Sequence, residues 1–102
     1  MTTKADQARF NAFQRIGCVA CHMSDRWSPA DVHHLLSGGR RRGNRYTIPL
    51  CPWHHRGLPA AGQSLKDMRD LFGPSLALTS KDFRGEYGDD EGLLALTDGL
   101  IA

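Results

Sequence analysis

The sequence predicts one small α+β domain, in which a β-hairpin and a short helix are flanked by an N-terminal helix and a C-terminal helical segment. Three observations support this prediction: two matching half-sites of metal-ligating residues, two β-prone segments around a Gly- and Arg-rich turn, and helix-capping signals on either side. At 102 residues the chain has room for one core. Chains of this size often add a bound metal as a staple.

The first predicted helix begins near the N-terminus, where Thr2 or Thr3 can cap it, and Gly17 ends it. Its apolar residues return to one face at helical spacing. They are Ala5, Ala8, Ala12, Phe13 and Ile16.

The predicted hairpin has strands at residues 32–36 and 46–50, joined by a turn over residues 37–45. Pro49 confines the second strand to an edge or a strand end. Pro52 suits the first position of a short helix that Gly57 ends. The predicted order is therefore β, β, α.

The C-terminal segment, residues 63–97, is predicted to be helical. Ser64 and Asp67 form a capping box for one helix, Ser80 caps a second, and the last covers residues 89–97. The apolar face of the first of these helices consists of Leu65, Met68, Leu71 and Phe72.

Four residues form two half-sites, Cys18-x2-Cys21 and Cys51-x2-His54, each with the spacing that lets one turn offer two ligands to a tetrahedral ion. A closed Cys3His set predicts a structural Zn²⁺. One alternative is that the cysteines are small buried hydrophobic residues. Another is that His22 replaces one of the ligands.

The composition predicts a cytosolic protein, because no stretch approaches the ~20 apolar residues of a membrane span and the N-terminus lacks the apolar run of a secretory signal. Residues 1–62 hold nine Lys and Arg against three Asp and Glu, and residues 63–102 hold four against eight. The basic part contains every Cys and His. The excess of Lys and Arg in this part indicates either a polyanionic partner or a merely solvated basic surface.

Three histidines remain once His54 is assigned to zinc: His33 and His34 on the first strand, and His55 at the short helix. Hydrolysis of a phosphodiester by a one-metal nuclease needs a base for water and a divalent ion for the phosphate charge, and imidazole serves either role. A lone histidine would more often be a core or surface residue. Three of them around one metal knuckle indicate a single site, although they could also form an alternative zinc site.

The order C-x2-C, then His-His, then Leu-Cys-x2-His-His resembles the HNH superfamily in its zinc-knuckle form. Within it, the strings at residues 17–21, 32–34 and 49–55 are similar to the recombination enhancement (Ref) family of phage RecA-dependent nucleases. Phe83, Tyr87-Gly88 and Leu93-Leu94 look like the C-terminal helical segment of that family. The resemblance covers most of residues 15–97.

The resemblance implies a ββα-metal (HNH) fold in a single nuclease domain over residues 1–102, with the zinc knuckle and ββα core at 15–57. It also implies that His34 is the general base, while His33 and His55 hold a catalytic Mg²⁺ or Mn²⁺. Since successive strand residues face opposite ways, a twist or bulge is expected at this pair of histidines. Where HNH proteins have a bracing asparagine, Tyr46 and Thr47 stand instead, and Asn44 can substitute.

The implied function is cleavage of DNA, with a RecA filament as a partner, in the cytoplasm of a bacterial host by a protein that a phage or prophage encodes. The alternative is a non-catalytic zinc-binding DNA or protein adaptor. The arginines expected to bind DNA phosphates, unless they are only solvated surface, are Arg40, Arg41, Arg42, Arg45 and Arg56.

Overall fold

The computed structural model describes residues 2–102, and within them it has six helices and four short strands. In chain order these are α1 (Lys4–Ile16), α2 (Val19–His22), β1 (Asp31–His34), β2 (Leu36–Ser37), β3 (Arg40–Arg41), β4 (Thr47–Leu50), α3 (Pro52–Arg56), α4 (Leu65–Phe72), α5 (Ser80–Tyr87) and α6 (Asp90–Ile101). The α+β class is confirmed. None of these helices combines the length and the apolar character that a membrane span requires.

Helix α1 begins and ends where its capping residues predict. Thr3 is the N-cap, and its hydroxyl and the Asp6 carboxylate close a capping box. Gly17 ends the helix at φ 72°, and a Cβ there would lie 2.7 Å from Trp27 Nε1 and from the backbone oxygen of Ser28. Both the backbone angle and the close approach therefore require glycine.

The main sheet consists of β1 and β4, paired antiparallel from Asp31 opposite Leu50 to His34 opposite Thr47. The predicted turn contains a second small hairpin of β2 and β3. The first predicted strand was therefore wrong at its end, because Leu36 belongs to β2 and is exposed. Leu35 lies between the two pieces and is buried, so the chain changes direction there to keep that side chain in the core.

Two predictions for the C-terminal segment were wrong in detail. Ser80 is the first helical residue of α5, and Thr79 before it is the N-cap without a side-chain hydrogen bond. In α4, Met68 is buried, but Leu65 and Leu71 are exposed. The face of α4 that packs on the protein is thus narrower than the apolar spacing suggested. Asp89 caps α6, which runs on to Ile101.

The core lies between the main sheet, helices α2 and α3, and the C-terminal helices. Its fully buried members include Val19, Leu35, Ile48, Phe83 and Leu93. Helix α6 contacts both α1 and β4, so it links the N-terminal helix to the sheet.

Arg9 connects three elements. From α1 its Nε donates to Thr47 Oγ1 at 3.0 Å, and its Nη2 donates to the backbone oxygen of Thr47 in β4. Its Nη1 also forms an ion pair with Asp98 of α6 at 2.7 Å. Thr47 is completely buried, so its hydroxyl and its backbone oxygen could not readily bond water in place of Arg9.

Replacing Arg9 with methionine should lower the free energy of unfolding by about 2 kcal/mol, since hydrogen bonds from a charged donor to buried acceptors contribute roughly 1.5–3 kcal/mol. Urea denaturation measures the change. Arg15→Met is the matched control, because Arg15 lies exposed on the same helix and forms no ion pair within residues 2–102. Equal stabilities for the two variants would contradict the connecting role of Arg9.

Candidate functional site

Three cysteines and a histidine meet at the N-termini of α2 and α3. Cys18 and Cys51 are the N-caps of these helices, and each accepts, at 3.4 Å, the backbone N–H of the ligand three residues later, Cys21 or His54. The two half-sites therefore have the same local structure. All four residues are buried.

The distances in this cluster fit a tetrahedral zinc ion. With Zn–S of about 2.3 Å and Zn–N of about 2.1 Å, ligand atoms of a tetrahedral site are about 3.6–3.8 Å apart. The Nδ1 of His54 lies 3.5, 3.5 and 3.2 Å from the sulfurs of Cys18, Cys21 and Cys51. Cys21 and Cys51 are 3.9 Å apart. This Cys3His group could bind a structural zinc, as the spacing predicted.

Without an ion, Cys18 and His54 of the cluster hold their protons. Hydrogen bonds with the thiols of Cys21 and Cys51, together with burial, raise the pKa of Cys18. Burial by itself would lower the pKa of His54, but the neighbouring Cys21 and Cys51 raise it to about 9. A bound zinc ion would need thiolates and a neutral imidazole, so it would displace these protons.

His54 is held in the right tautomer by the C-terminal segment. Its Nε2 lies 2.8 Å from the backbone oxygen of Phe72, at the end of α4. Because a carbonyl only accepts, Nε2 carries the proton, and Nδ1 has its lone pair free for a metal. The Tyr87 hydroxyl donates to the same oxygen at 2.8 Å. His22, by contrast, is exposed and outside the cluster, so it does not replace a ligand.

His33 of β1 and His55 of α3 lie next to each other, outside the Cys3His cluster. Their rings meet edge to face with centroids 4.9 Å apart. Burial, and then the neighbouring His55, lower the pKa of His33 to about 4. His33 is therefore neutral at neutral pH, with a lone pair that can bind a metal.

Asp31 belongs to this group and was not singled out from the sequence. Its Oδ2 lies 3.5 Å from His55 Nδ1, and both atoms are buried without a hydrogen-bond partner within residues 2–102. Arg56 Nη2 is 3.2 Å from the same oxygen. A usable signal was present, because Asp31 and His33 are two apart on a strand and so share a face.

His34 faces away from His33. Strand β1 pairs with β4 in regular register through both residues, so no bulge is present there. The Nε2 of His34 lies 3.1 Å from Asn44 Oδ1. Asn44 thus contacts a histidine, and its role as a substitute for the bracing asparagine stays a prediction.

The five predicted DNA-binding arginines occupy different environments. Arg40 and Arg41 are exposed on β3, and Arg45 is exposed after it. Arg42 instead pairs with Glu91 and stacks on the Tyr46 ring, 4.3 Å from its centroid. Arg56, as described above, is paired with an acidic side chain. Arg40, Arg41 and Arg45 are exposed and form no ion pair within residues 2–102, so they are the members free to contact a polyanion.

A comparison with curated proteins returned no match. Residues 2–102 match the model of a family described as recombination enhancement, RecA-dependent nuclease. The match covers both half-sites of the metal cluster, all five histidines and the helices on either side. The chain therefore belongs to the recombination enhancement, RecA-dependent nuclease family.

Proposed function

We propose that the protein is an HNH-type endonuclease that hydrolyses DNA phosphodiester bonds in RecA-dependent recombination. The single observation that carries this proposal is the meeting of His33 and His55 beside a buried carboxylate oxygen of Asp31. The family description supports both nuclease activity and the dependence on RecA. Strands β1 and β4 pair with each other and precede α3, which resembles the β, β, α order of HNH nucleases with the small β2–β3 hairpin inserted between the strands.

In this proposal the Cys3His cluster holds a structural Zn²⁺. All four ligands are protein atoms, so no position remains for water or substrate. The ion would join the start of α2 to the start of α3 and so keep the ends of the hairpin together.

His33 and His55 would hold the catalytic Mg²⁺ or Mn²⁺, and the Asp31 oxygen is placed to add a third ligand. Two ligands on one octahedral ion are about 3 Å apart at metal distances of about 2.1 Å, close to the 3.5 Å between Asp31 Oδ2 and His55 Nδ1. When bound, such an ion stabilises the negative charge that develops on the phosphate and on the leaving oxygen.

His34 would be the general base that takes a proton from the attacking water. It lies on the opposite face of β1 from the metal ligands, and no strand pairs with the outer edge of β1 within residues 2–102. We infer that the scissile phosphate lies across this open edge, between the base on one side and the ion on the other. Arg40, Arg41 and Arg45 would position the DNA backbone.

Zinc should be required for folding. Purified protein should contain one tightly bound zinc, and Cys51→Ala should unfold it, since structural zinc can contribute ~10 kcal/mol and most chains of this size are less stable than that. Metal analysis and circular dichroism measure both. A zinc-free protein with an unchanged melting temperature would contradict the site.

Cleavage should depend on the three histidines in two different ways. His34→Ala should cleave a RecA-formed displacement loop at least ~10²-fold more slowly at saturating Mg²⁺, because base catalysis contributes ~10²–10⁴-fold. His33→Ala and His55→Ala should instead require more Mg²⁺ or Mn²⁺. Gel assays of nicked plasmid and displacement-loop DNA, with Mg²⁺ or EDTA and with or without RecA, measure this.

His22→Ala is the matched control, because His22 is exposed and outside both clusters. It should cleave at the wild-type rate. Wild-type protein that binds the displacement loop but never cleaves it would favour the non-catalytic zinc-binding adaptor. If His34→Ala cleaves normally and His33→Ala is inactive at every metal concentration, the two roles are exchanged.

The exposed arginines should contribute to affinity without sequence preference. Arg40→Ala/Arg41→Ala should weaken binding alike on unrelated DNA sequences, and should reduce the slope of log affinity against log salt by about 2, since each phosphate contact contributes about 0.9. Fluorescence anisotropy over a salt series measures the slope. The control, Lys66→Ala/Lys81→Ala, removes the same charge from the acidic segment, and equal slopes for the two variants would mean that the loop is only solvated surface.

A further inference from the structure

Asp6 connects helix α1 to the hairpin at the histidine that we propose as the base. Its Oδ2 accepts the backbone N–H of Thr3 at 3.0 Å, which closes the capping box, and the Nδ2 of Asn44 at 3.2 Å. The N–H of Thr3 and then the amide of Asn44 hold the pKa of Asp6 below its usual range. The carboxylate is therefore ionised at neutral pH.

The direction of these hydrogen bonds determines the tautomer of His34. An ionised carboxylate only accepts, so Asn44 must turn its NH2 group to Asp6 and its oxygen to the other side. That oxygen lies 3.1 Å from His34 Nε2. Because an amide oxygen also only accepts, Nε2 must carry the proton. The lone pair of neutral His34 is then on Nδ1.

Helix α1 also holds the backbone of Asn44. The Thr47 hydroxyl donates to the backbone oxygen of Asn44 at 2.7 Å, and Arg9 Nε in turn donates to that hydroxyl at 3.0 Å. Asn44 is thus fixed at its side chain by Asp6 and at its backbone through Thr47. Helix capping alone would need neither contact with the hairpin.

We propose that Asp6 is a positioning residue that acts through Asn44 to keep His34 in the tautomer with a basic Nδ1, and to hold its ring at the edge of β1. This inference rests on the proposed role of His34 as general base. A hydrogen bond of ordinary strength shifts a tautomer ratio by roughly fivefold to tenfold. A tenfold shift takes a ratio of about 10:1 to about 1:1, so losing the control of Asp6 should lower the active fraction, and with it the cleavage rate, about twofold, far less than losing the imidazole itself.

The test is the protonation pattern of the His34 ring, read from its ¹⁵N chemical shifts in the full-length zinc-loaded protein at about pH 8, where an ordinary imidazole is neutral. The wild-type protein should show the proton on Nε2. In Asp6→Ala no acceptor fixes the Asn44 amide, so the amide can turn either way and a substantial fraction with the proton on Nδ1 should appear. Cleavage should fall about twofold.

Asp67→Ala is the matched control. Asp67 occupies the same third position in the capping box of α4 as Asp6 does in α1, and it accepts the N–H of Ser64 at 3.1 Å. The change therefore weakens a helix cap to a similar extent without touching Asn44. Its His34 spectrum and cleavage rate should match the wild type.

The double variant Asp6→Asn/Asn44→Asp reverses the pair. The new amide can donate to the new carboxylate, and this carboxylate accepts the proton of His34 Nε2. The proton on Nε2 should therefore return. A wild-type proton on Nδ1, an Asp6→Ala spectrum identical to the wild type, or a double variant without the return would each overturn the proposal. A tautomer that follows Asp6 while cleavage stays constant supports the positioning and contradicts only the role of His34 as base.

Discussion

The Cys3His cluster is the interaction on which the rest of the structure depends. Helices α2 and α3 have four and five residues, far fewer than the ~12–15 that an isolated helix needs in water. At their N-termini, the three cysteine sulfurs and the histidine nitrogen that could bind a metal lie within 4.8 Å of one another. Strand β4 runs directly into this cluster, so the main sheet is fixed to the rest of the core at the same point.

The cluster also determines where the proposed catalytic groups lie. His54 and His55 are neighbours on one short helix, and successive helical residues point about 100° apart. When His54 turns inward to the sulfurs, His55 is directed toward β1, where it meets His33 and Asp31. Because His54 is fixed in a buried cluster, the adjacent His55 is held in a defined position. A residue on a flexible loop would not be held in this way.

The flanking helices do more than cover the core. The end of α4 provides the carbonyl that orients His54. Helix α1 holds Asn44 and Thr47 beside the sheet. The basic and acidic parts of the chain also form ion pairs with each other, because acidic residues of α6 pair with Arg9 and Arg42. These pairs leave Arg40 and Arg41 as exposed basic side chains at the tip of the small hairpin.

The sequence by itself determined the features that depend on short spacing: the two half-sites, the start of α1 after Thr2 or Thr3, and the cap at Ser64. These depend on geometry within one or two turns, which a few neighbouring residues set. Only the tertiary structure decided which groups meet across the chain. Asp31 beside His55, and Asp6 joined to Asn44 over 38 positions, depend on how α1 and α3 pack on the sheet. That packing reflects the burial of the whole core, which no local pattern contains.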